Sequence, residues 1–143
     1  MSSVSSYHAP VTLKDALRLL APGGDGAPSK PLAGGSDLIV QMGAGRHRPS
    51  SLIDLKRIPE MTGITRHEGG WRIAAATSCA VMGEHAELRA EWPGVVEAAN
   101  LIGSKQVQGR ATVAGNLCNA SPGGDSVPAL IAAGAVVEIG SIG

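Results

Sequence analysis

The sequence contains few aromatic residues. It has no phenylalanine, and Tyr7, Trp71 and Trp92 are its only aromatics among 143 residues. A buried aromatic ring contributes roughly 150–250 Å² of buried surface, so the core must be built mainly from Ala, Val, Leu and Ile. The length suits one ordinary domain or two small subdomains, because domains cluster at roughly 100–150 residues. We therefore expect part of the stability to come from a ligand or a partner.

The chain also lacks an excess of charge of either sign. Twelve Lys and Arg residues balance twelve Asp and Glu residues, and the basic residues are scattered along the sequence. This composition argues against electrostatic capture of nucleic acid or of an anionic membrane. No apolar run approaches the ~20 residues that span a bilayer, and residues 1–6 lack the features of a signal peptide. The sequence predicts a cytoplasmic protein without a membrane span.

Cysteine is scarce, and several common catalytic motifs are missing. Cys79 and Cys118 are far apart and lack CxxC spacing, which excludes a disulfide framework or an iron–sulfur cluster within this chain. Both are predicted to be free, buried thiols. The dinucleotide fingerprint GxGxxG, the P-loop and the zinc helix HExxH are all absent. We predict no catalytic side chain and no metal site.

The most informative stretch runs from residue 110 to 128 and reads RATVAGNLCNASPGGDSVP. Apart from Arg110, no side chain in it is bulkier than Leu. Small residues allow close approach of the backbone, and consecutive amides turned the same way form a concave nest of donors for an anionic oxygen. We expect the stretch to hold a phosphate-bearing ligand. The alternative is a run of surface turns.

A second glycine-containing segment has the order strand, turn and helix. Leu32 and Ala33 are predicted to end a short buried strand, Gly34 and Gly35 to form a tight turn, and Ser36 or Asp37 to cap a short helix through residue 42. Free amides at such a helix N-terminus are a second place for a phosphate. Two such loops, far apart in sequence, indicate one long ligand whose diphosphate lies between two lobes.

The remaining patterns define the scaffold. Asp54, between apolar neighbours, is predicted to face solvent, and Gly69-Gly70 is predicted to form a hairpin turn. Asp125 or Ser126 is predicted to cap the last helix. The predicted helices cover 12–21, 78 to about 85, 93–102 and 126–133, and the predicted strands cover 52–55, 71–74 and 135–139.

Three motifs carry a family resemblance. They are AGGSDL at 33–38, IDL at 53–55 and TVAGNLCNASPGGDSVPAL at 112–130. Together they resemble the FAD-binding medium subunit of the molybdenum hydroxylases, a family that includes the carbon monoxide, xanthine and nicotine dehydrogenases and hydroxybenzoyl-CoA reductase. The resemblance extends from residue 7 to residue 139. Ala114 and Ala75 stand where the family commonly has glycine.

The resemblance implies an α+β fold of the PCMH type, with two FAD-binding subdomains at 1–58 and 59–143 and FAD in the cleft between them. It also implies that the family's C-terminal domain, which helps to cover the flavin, is lacking from this chain. Asp125 could alternatively act only as a helix cap. The cofactor-binding residues carried over from the family are Leu32, Ala33, Gly34, Gly35, Ser36, Asp37, Leu38, Ile39, Ile102, Thr112, Val113, Ala114, Gly115, Asn116, Asn119, Ser121 and Asp125.

The function implied by the resemblance is electron transfer through FAD. Electrons from a molybdenum cofactor would pass through [2Fe–2S] centres to FAD and then to an external acceptor. The molybdenum cofactor would be held by a large partner subunit and the [2Fe–2S] centres by a small one. A self-contained FAD oxidase or reductase and a truncated fragment that no longer holds FAD are the alternatives.

Overall fold

The computed structural model describes residues 4–21 and 28–141. Within them the chain has the predicted α+β architecture. Three short strands form one sheet, two more form a hairpin, and helices pack around both. The Gly and Pro residues at 23–30 predict a turn-rich linker, most of which lies outside the described residues. No described helix has the length and apolar character that crossing a membrane requires.

The first sheet is parallel, with β3 (Ser51–Asp54) in the centre between β1 (Ser6–His8) and β2 (Ser29–Leu32). The register places Leu32 opposite Asp54, so the sheet brings the end of β2 beside the end of β3. Helix α1 (Leu13–Leu20) follows β1 and confirms the helix predicted over 12–21. The first glycine turn therefore begins where the sheet ends.

A compact apolar cluster forms beside this sheet. Ile53 and Ile58 are fully buried in it, and Ala16 of α1 packs against them. Thr12 begins α1 as predicted, since its hydroxyl oxygen accepts a hydrogen bond from the Asp15 amide at 3.2 Å. Such a cap satisfies one of the amides that a helix start leaves without an intrahelical partner.

The second part of the chain is a hairpin followed by six helices. Strands β4 (Ile64–His67) and β5 (Gly70–Ile73) pair antiparallel, and a short 3₁₀ turn (Pro59–Met61) precedes them. The remaining elements are α2 (Leu38–Gly43), which follows the first glycine turn, and α3 (Cys79–Glu84), α4 (Ala86–Glu91), α5 (Pro93–Asn100), α6 (Lys105–Gln108), α7 (Val113–Asn119) and α8 (Ser126–Ala132).

A second apolar cluster lies among these helices. Cys79, Met82 and Ala99 have no exposed surface in it. The division of the chain at 58/59 stays a prediction. Met61 and Ala76, from beyond that boundary, pack against the first cluster and tie the hairpin region to it.

The hairpin turn differs by one residue from the prediction. His67 pairs with Gly70, so the turn residues are Glu68 and Gly69, with φ values of 47° and 78°. A two-residue hairpin turn with positive φ at both positions matches the right-handed twist of its strands. Gly70 is instead the first residue of β5.

The strand predicted over 135–139 is wrong. This segment has no regular secondary structure and belongs to neither sheet within the described part of the chain. Val136 and Ile139 are each 88% exposed, and Arg72 of β5 reaches Glu138 with a nitrogen–oxygen distance of 2.6 Å. An apolar run makes a strand only where a second backbone is aligned to pair with it.

Two predictions about burial are also wrong. Asp54 is buried, because β3 is the central strand of a parallel sheet and is covered by neighbouring elements. Cys118 is exposed, whereas Cys79 is buried as predicted. Burial raises the pKa of the Cys79 thiol to about 11.

Candidate functional site

The stretch at 110–128 forms helices instead of a run of turns. Thr112 begins α7, with its hydroxyl oxygen accepting from the Gly115 amide at 2.9 Å and its carbonyl from the Asn116 amide at 3.0 Å. Ala111, Thr112 and Val113 are buried, so this end of the stretch belongs to the core. The small residues thus place the start of a helix at the surface of the second cluster.

The side chain of Asn116 connects α7 to α8. Its Oδ1 accepts from the Ser126 hydroxyl at 2.6 Å and from the Ser126 amide at 3.4 Å. Asp125 is the N-cap residue of α8 but makes no side-chain capping bond. Asp125 therefore occupies the predicted N-cap position without making the capping hydrogen bond. The buried Ser126 anchors α8 to α7 through Asn116.

The first glycine turn presents a row of unpaired amides. No acceptor in the described part of the chain meets the backbone N–H groups of Gly34, Gly35, Ser36 and Asp37. Gly35 has φ +79°, a conformation that favours glycine. Asp37 is the N-cap residue of α2, without a side-chain capping bond. Four successive free donors suit an anionic oxygen.

The two glycine-containing stretches meet. A Cβ on Gly34 would lie 1.9 Å from the carbonyl oxygen of Arg110, so the two backbones are in direct contact. The Arg110 Nε donates to the Gly34 carbonyl at 3.4 Å. Farther along, Gln41 Nε2 of α2 donates to Asn119 Oδ1 of α7 at 2.6 Å. The convergence that the sequence predicted is present.

A cleft of about 260 Å³ lies where they meet. This is slightly below the range of about 300–1,000 Å³ for whole small-molecule sites, so it has room for part of a dinucleotide. A larger open depression, of about 480 Å³, lies on α1 away from both glycine turns. The predicted site residues that line the cleft are Ala33, Gly34, Gly35, Ser36, Asp37, Leu38, Ile102, Thr112, Ala114, Gly115, Asn116 and Asn119.

The other predicted site residues lie outside the cleft lining. Leu32 and Val113 are buried in the protein, and Ile39 is 51% exposed on α2. Ser121 and Asp125 are exposed beyond the end of α7. Sequence reasoning missed several lining residues, among them Lys30, Pro31, Gln41, His47, Leu55, Ala75, Ala111 and Cys118.

A sequence signal existed for one of these missed residues. Gln41 is three residues after Leu38 on α2, and residues three apart share a helix face. Ala75 and Ala114, at which the resemblance leads us to expect glycine, both line the cleft. The cleft therefore accommodates their methyl groups at its wall.

The glycine of the second stretch leads us to expect a free Gly115 amide for the diphosphate at the start of α7, but that amide is paired. The Gly115 amide already donates to Thr112. The antiparallel bridge between Ser78 and Thr112 turns the Val113 amide toward the carbonyl of Thr77. The Ala114 amide meets no acceptor in the part of the chain that the structure describes. A helix start leaves its first amides available to an anion. Both sides of the cleft thus carry unpaired backbone donors.

Asp54, Tyr7 and Lys56 form a hydrogen-bonded, ionised cluster beside the first glycine turn. Asp54 receives hydrogen bonds from the Tyr7 hydroxyl, the Lys56 amide at 2.9 Å and the Lys56 ammonium at 2.7 Å. Burial by itself would raise the pKa of Asp54, but the hydrogen bonds from Lys56 and Tyr7 outweigh it and lower that pKa. The hydrogen bond to Asp54 raises the pKa of Tyr7. Asp54 is held as a carboxylate.

Four ionisable side chains line the cleft itself: Lys30, Asp37, His47 and Cys118. Within the described ranges, no group of three or more His, Cys, Asp or Glu side chains could hold a metal ion. The donor set is therefore mainly backbone N–H, with apolar walls from Leu38, Leu55 and Ile102. This arrangement can bind and orient an anionic ligand that has apolar parts.

Comparison with known proteins identifies the family. The sequence model described as the FAD binding domain in molybdopterin dehydrogenase matches residues 2–142. The chain therefore belongs to this family, and FAD is the cofactor of the domain.

Two relatives show the extent of the match. The chain is 34% identical to the xanthine dehydrogenase FAD-binding subunit of Escherichia coli O157:H7, over 99% of this chain and 48% of the relative. It is 38% identical to the carbon monoxide dehydrogenase medium chain of Hydrogenophaga pseudoflava, over 87% of this chain and 42% of the relative. The chain spans about half the length of these curated relatives.

The fold agrees with the same family. A chain of the Cu,Mo-CO dehydrogenase in its cyanide-inactivated form matches with a TM-score of 0.81 and 32% identity, covering 92% of this chain and 45% of that chain. The carbon monoxide dehydrogenase from Hydrogenophaga pseudoflava that lacks the Mo-pyranopterin moiety matches with a TM-score of 0.77 and 35% identity, covering 86% and 42%.

Proposed function

We propose that this chain holds the diphosphate of FAD between its two glycine-containing stretches, as part of an electron-transfer flavoprotein subunit of a molybdenum-dependent hydroxylase or dehydrogenase. The observation that carries the proposal is the contact between Gly34 and Arg110, which joins the two stretches at one cleft. On either side of that junction, the amides of Gly34 to Asp37 and of Ala114 meet no acceptor among the described residues. The family to which the chain belongs is defined by FAD binding.

Different groups of residues bind different parts of FAD. The amides of Gly34 to Asp37 on one side, and that of Ala114 on the other, hold the diphosphate oxygens. Asn119 and the Nδ2 group of Asn116 bind polar parts of the cofactor. Leu38 and Ile102 form apolar walls that exclude water from it.

FAD supplies the redox chemistry, because the flavin accepts electrons and passes them on. The chain's own residues bind and orient it, and no side chain has to act as an acid or a base. The cleft has room for part of FAD, so we expect the remainder to be covered outside the described residues.

Membership of the family supports a proposed place in the reaction. Electrons would pass from a molybdenum cofactor on a large partner subunit, through [2Fe–2S] centres on a small one, to FAD and then to an external acceptor. The relatives that support this assignment include a xanthine dehydrogenase FAD-binding subunit and carbon monoxide dehydrogenase medium chains. The cytoplasm stays the predicted compartment.

Flavin retention tests the proposal. The purified chain should show the absorption bands of bound FAD, or acquire them when FAD is added and the excess is removed. A Cβ on Gly115 would lie 2.8 Å from Thr112 Oγ1, so Gly115→Val should displace the cap of α7 and abolish retention.

The matched control is Gly94→Val. Gly94 also lies in the first turn of a helix, and a Cβ there meets no atom within 4 Å. This variant should retain FAD as the parent does. A chain that stays colourless with added FAD, or a Gly115→Val variant with undiminished FAD content, would contradict the proposal.

A further inference from the structure

The first glycine turn is held from behind by a lysine that does not line the cleft. Lys56 Nζ donates to the Ala33 carbonyl at 2.8 Å and to Asp54 Oδ1 at 2.7 Å. Ala33 is the residue immediately before Gly34, and it lines the cleft, whereas Lys56 is absent from the lining. The ammonium therefore connects a buried carboxylate to the peptide at which the turn begins.

The geometry of that peptide makes the contact directional. In a planar trans peptide the C=O of one residue and the N–H of the next point in opposite directions. The bond from Lys56 fixes the Ala33 carbonyl and consequently turns the Gly34 N–H away from Lys56. The Gly34 amide meets no acceptor in the described part of the chain.

The next peptide of the turn is held in the same way. Arg110 Nε donates to the Gly34 carbonyl at 3.4 Å, which fixes the direction of the Gly35 N–H. Two successive carbonyls are thus bound by two cationic side chains from different parts of the chain. Their positive charge also favours an anion at the amides on the opposite side.

Asp54 keeps the lysine in position. Its side chain is 9% exposed, and it bonds to both the amide and the ammonium of Lys56. The Lys56 side chain is 33% exposed, so its conformation is restricted by the bond to the Asp54 carboxylate more than by burial. A charge-assisted pair with three hydrogen bonds to the carboxylate holds one geometry better than a solvated lysine could.

We infer that Lys56, held by Asp54, is a positioning residue that presents the amides of the first glycine turn to the diphosphate of FAD. This inference rests on the proposed function. Lys56 does not line the cleft, and we do not expect it to contact the cofactor. It acts through the Ala33 carbonyl.

The test compares Lys56→Met, Lys56→Arg and a control, Lys14→Met, in the full chain. Lys14 is an exposed residue of α1, and its loss removes one positive charge far from the glycine turns. FAD affinity is measured by titration, and the ³¹P resonances of the bound diphosphate are recorded at saturating FAD. Lys56→Met should fold, since Asp54 retains the Tyr7 hydroxyl and the residue-56 amide as donors.

Lys56→Met should bind FAD about tenfold more weakly, the loss of roughly one well-oriented hydrogen bond to a charged group. Its bound ³¹P resonances should move toward those of free FAD. Lys56→Arg should restore affinity and resonances, and Lys14→Met should match the parent in both. A purely structural role would lower the melting temperature and leave the resonances in place.

If Lys56→Met matches the parent in affinity, or saturates with unchanged ³¹P resonances, the inference is overturned while the proposed function stands. If the parent chain itself binds no FAD, both are overturned.

Discussion

Replacing Gly34 by alanine tests the junction of the two glycine-containing stretches. The new Cβ would lie 1.9 Å from the Arg110 carbonyl oxygen and 2.5 Å from its carbon. Ordinary van der Waals contacts of a Cβ begin at 3.4 Å. The obstacle is backbone, so no side-chain rotation relieves it, and the turn must move away from Arg110 by more than an ångström.

Two effects should follow in Gly34→Ala. Overpacking of this kind costs about 1–3 kcal/mol of the free energy of unfolding. Displaced amides also lose their alignment with the diphosphate. Loss of two hydrogen bonds to a charged group, at about 1.5 kcal/mol each, would weaken FAD binding by about 100-fold.

Urea denaturation and FAD titration measure the two effects separately. The matched control is Gly43→Ala at the end of α2, where a Cβ meets nothing within 4 Å. That variant should bind FAD as the parent does and be no less stable, because alanine favours helix. If Gly34→Ala matched Gly43→Ala in stability and affinity, the close contact between the two stretches would be refuted.

Three further predictions concern single side chains. Thr112→Val should lower the free energy of unfolding by about 1 kcal/mol through loss of the α7 cap, while Thr112→Ser should retain most of it in the same denaturation assay. The lowered pKa of Asp54 predicts stability that is fully present above the unfolded-state pKa of about 3.9 and is lost as pH falls through the lower folded-state value. Asp54→Asn should flatten that acid limb of the melting temperature against pH, and an unchanged limb would refute the assignment. In the native protein, a thiol reagent at pH 8 should modify the exposed Cys118 and spare the buried Cys79, whose pKa is about 11, so that mass spectrometry finds one adduct; equal labelling would contradict it.

The sequence predicted α1 and the meeting of the two glycine-containing stretches because local chemistry specifies both. Thr12 supplies a cap, and the apolar spacing that follows supplies one buried face. The turn at Gly34 needs a residue without a Cβ because another backbone approaches it. Requirements of this kind are written in a few adjacent residues and can be read without knowledge of the fold.

The identity of the free amides could not be read in the same way. Small residues at 110–128 indicated a nest of turns, but Thr112 caps a helix and takes the Gly115 amide for itself. The spacing of Val113 and Leu117, four residues apart, was compatible with that helix. Small side chains permit both a turn and a helix start, and packing against the second apolar cluster decides between them.

Asp54 and the segment at 135–139 show why burial and pairing resist local reasoning. Asp54 alternates with apolar neighbours as a solvent-facing residue would, yet its strand is central, and Lys56 and Tyr7 satisfy its carboxylate. The apolar run at 135–139 has no strand beside it among the described residues. In both cases the outcome depends on which elements lie alongside, which only the assembled fold determines.

The most direct test of the central claim is an amide ¹H–¹⁵N titration of the chain with FAD. If one diphosphate lies between the two stretches, the amide signals of Gly34 and Gly35 and that of Ala114 should shift together. The shifts should follow a single saturation curve. The same curve should describe the amount of FAD that stays with the protein, measured by flavin absorbance after free FAD is removed. Shifts confined to one stretch, or two sets of signals with different affinities, would contradict it.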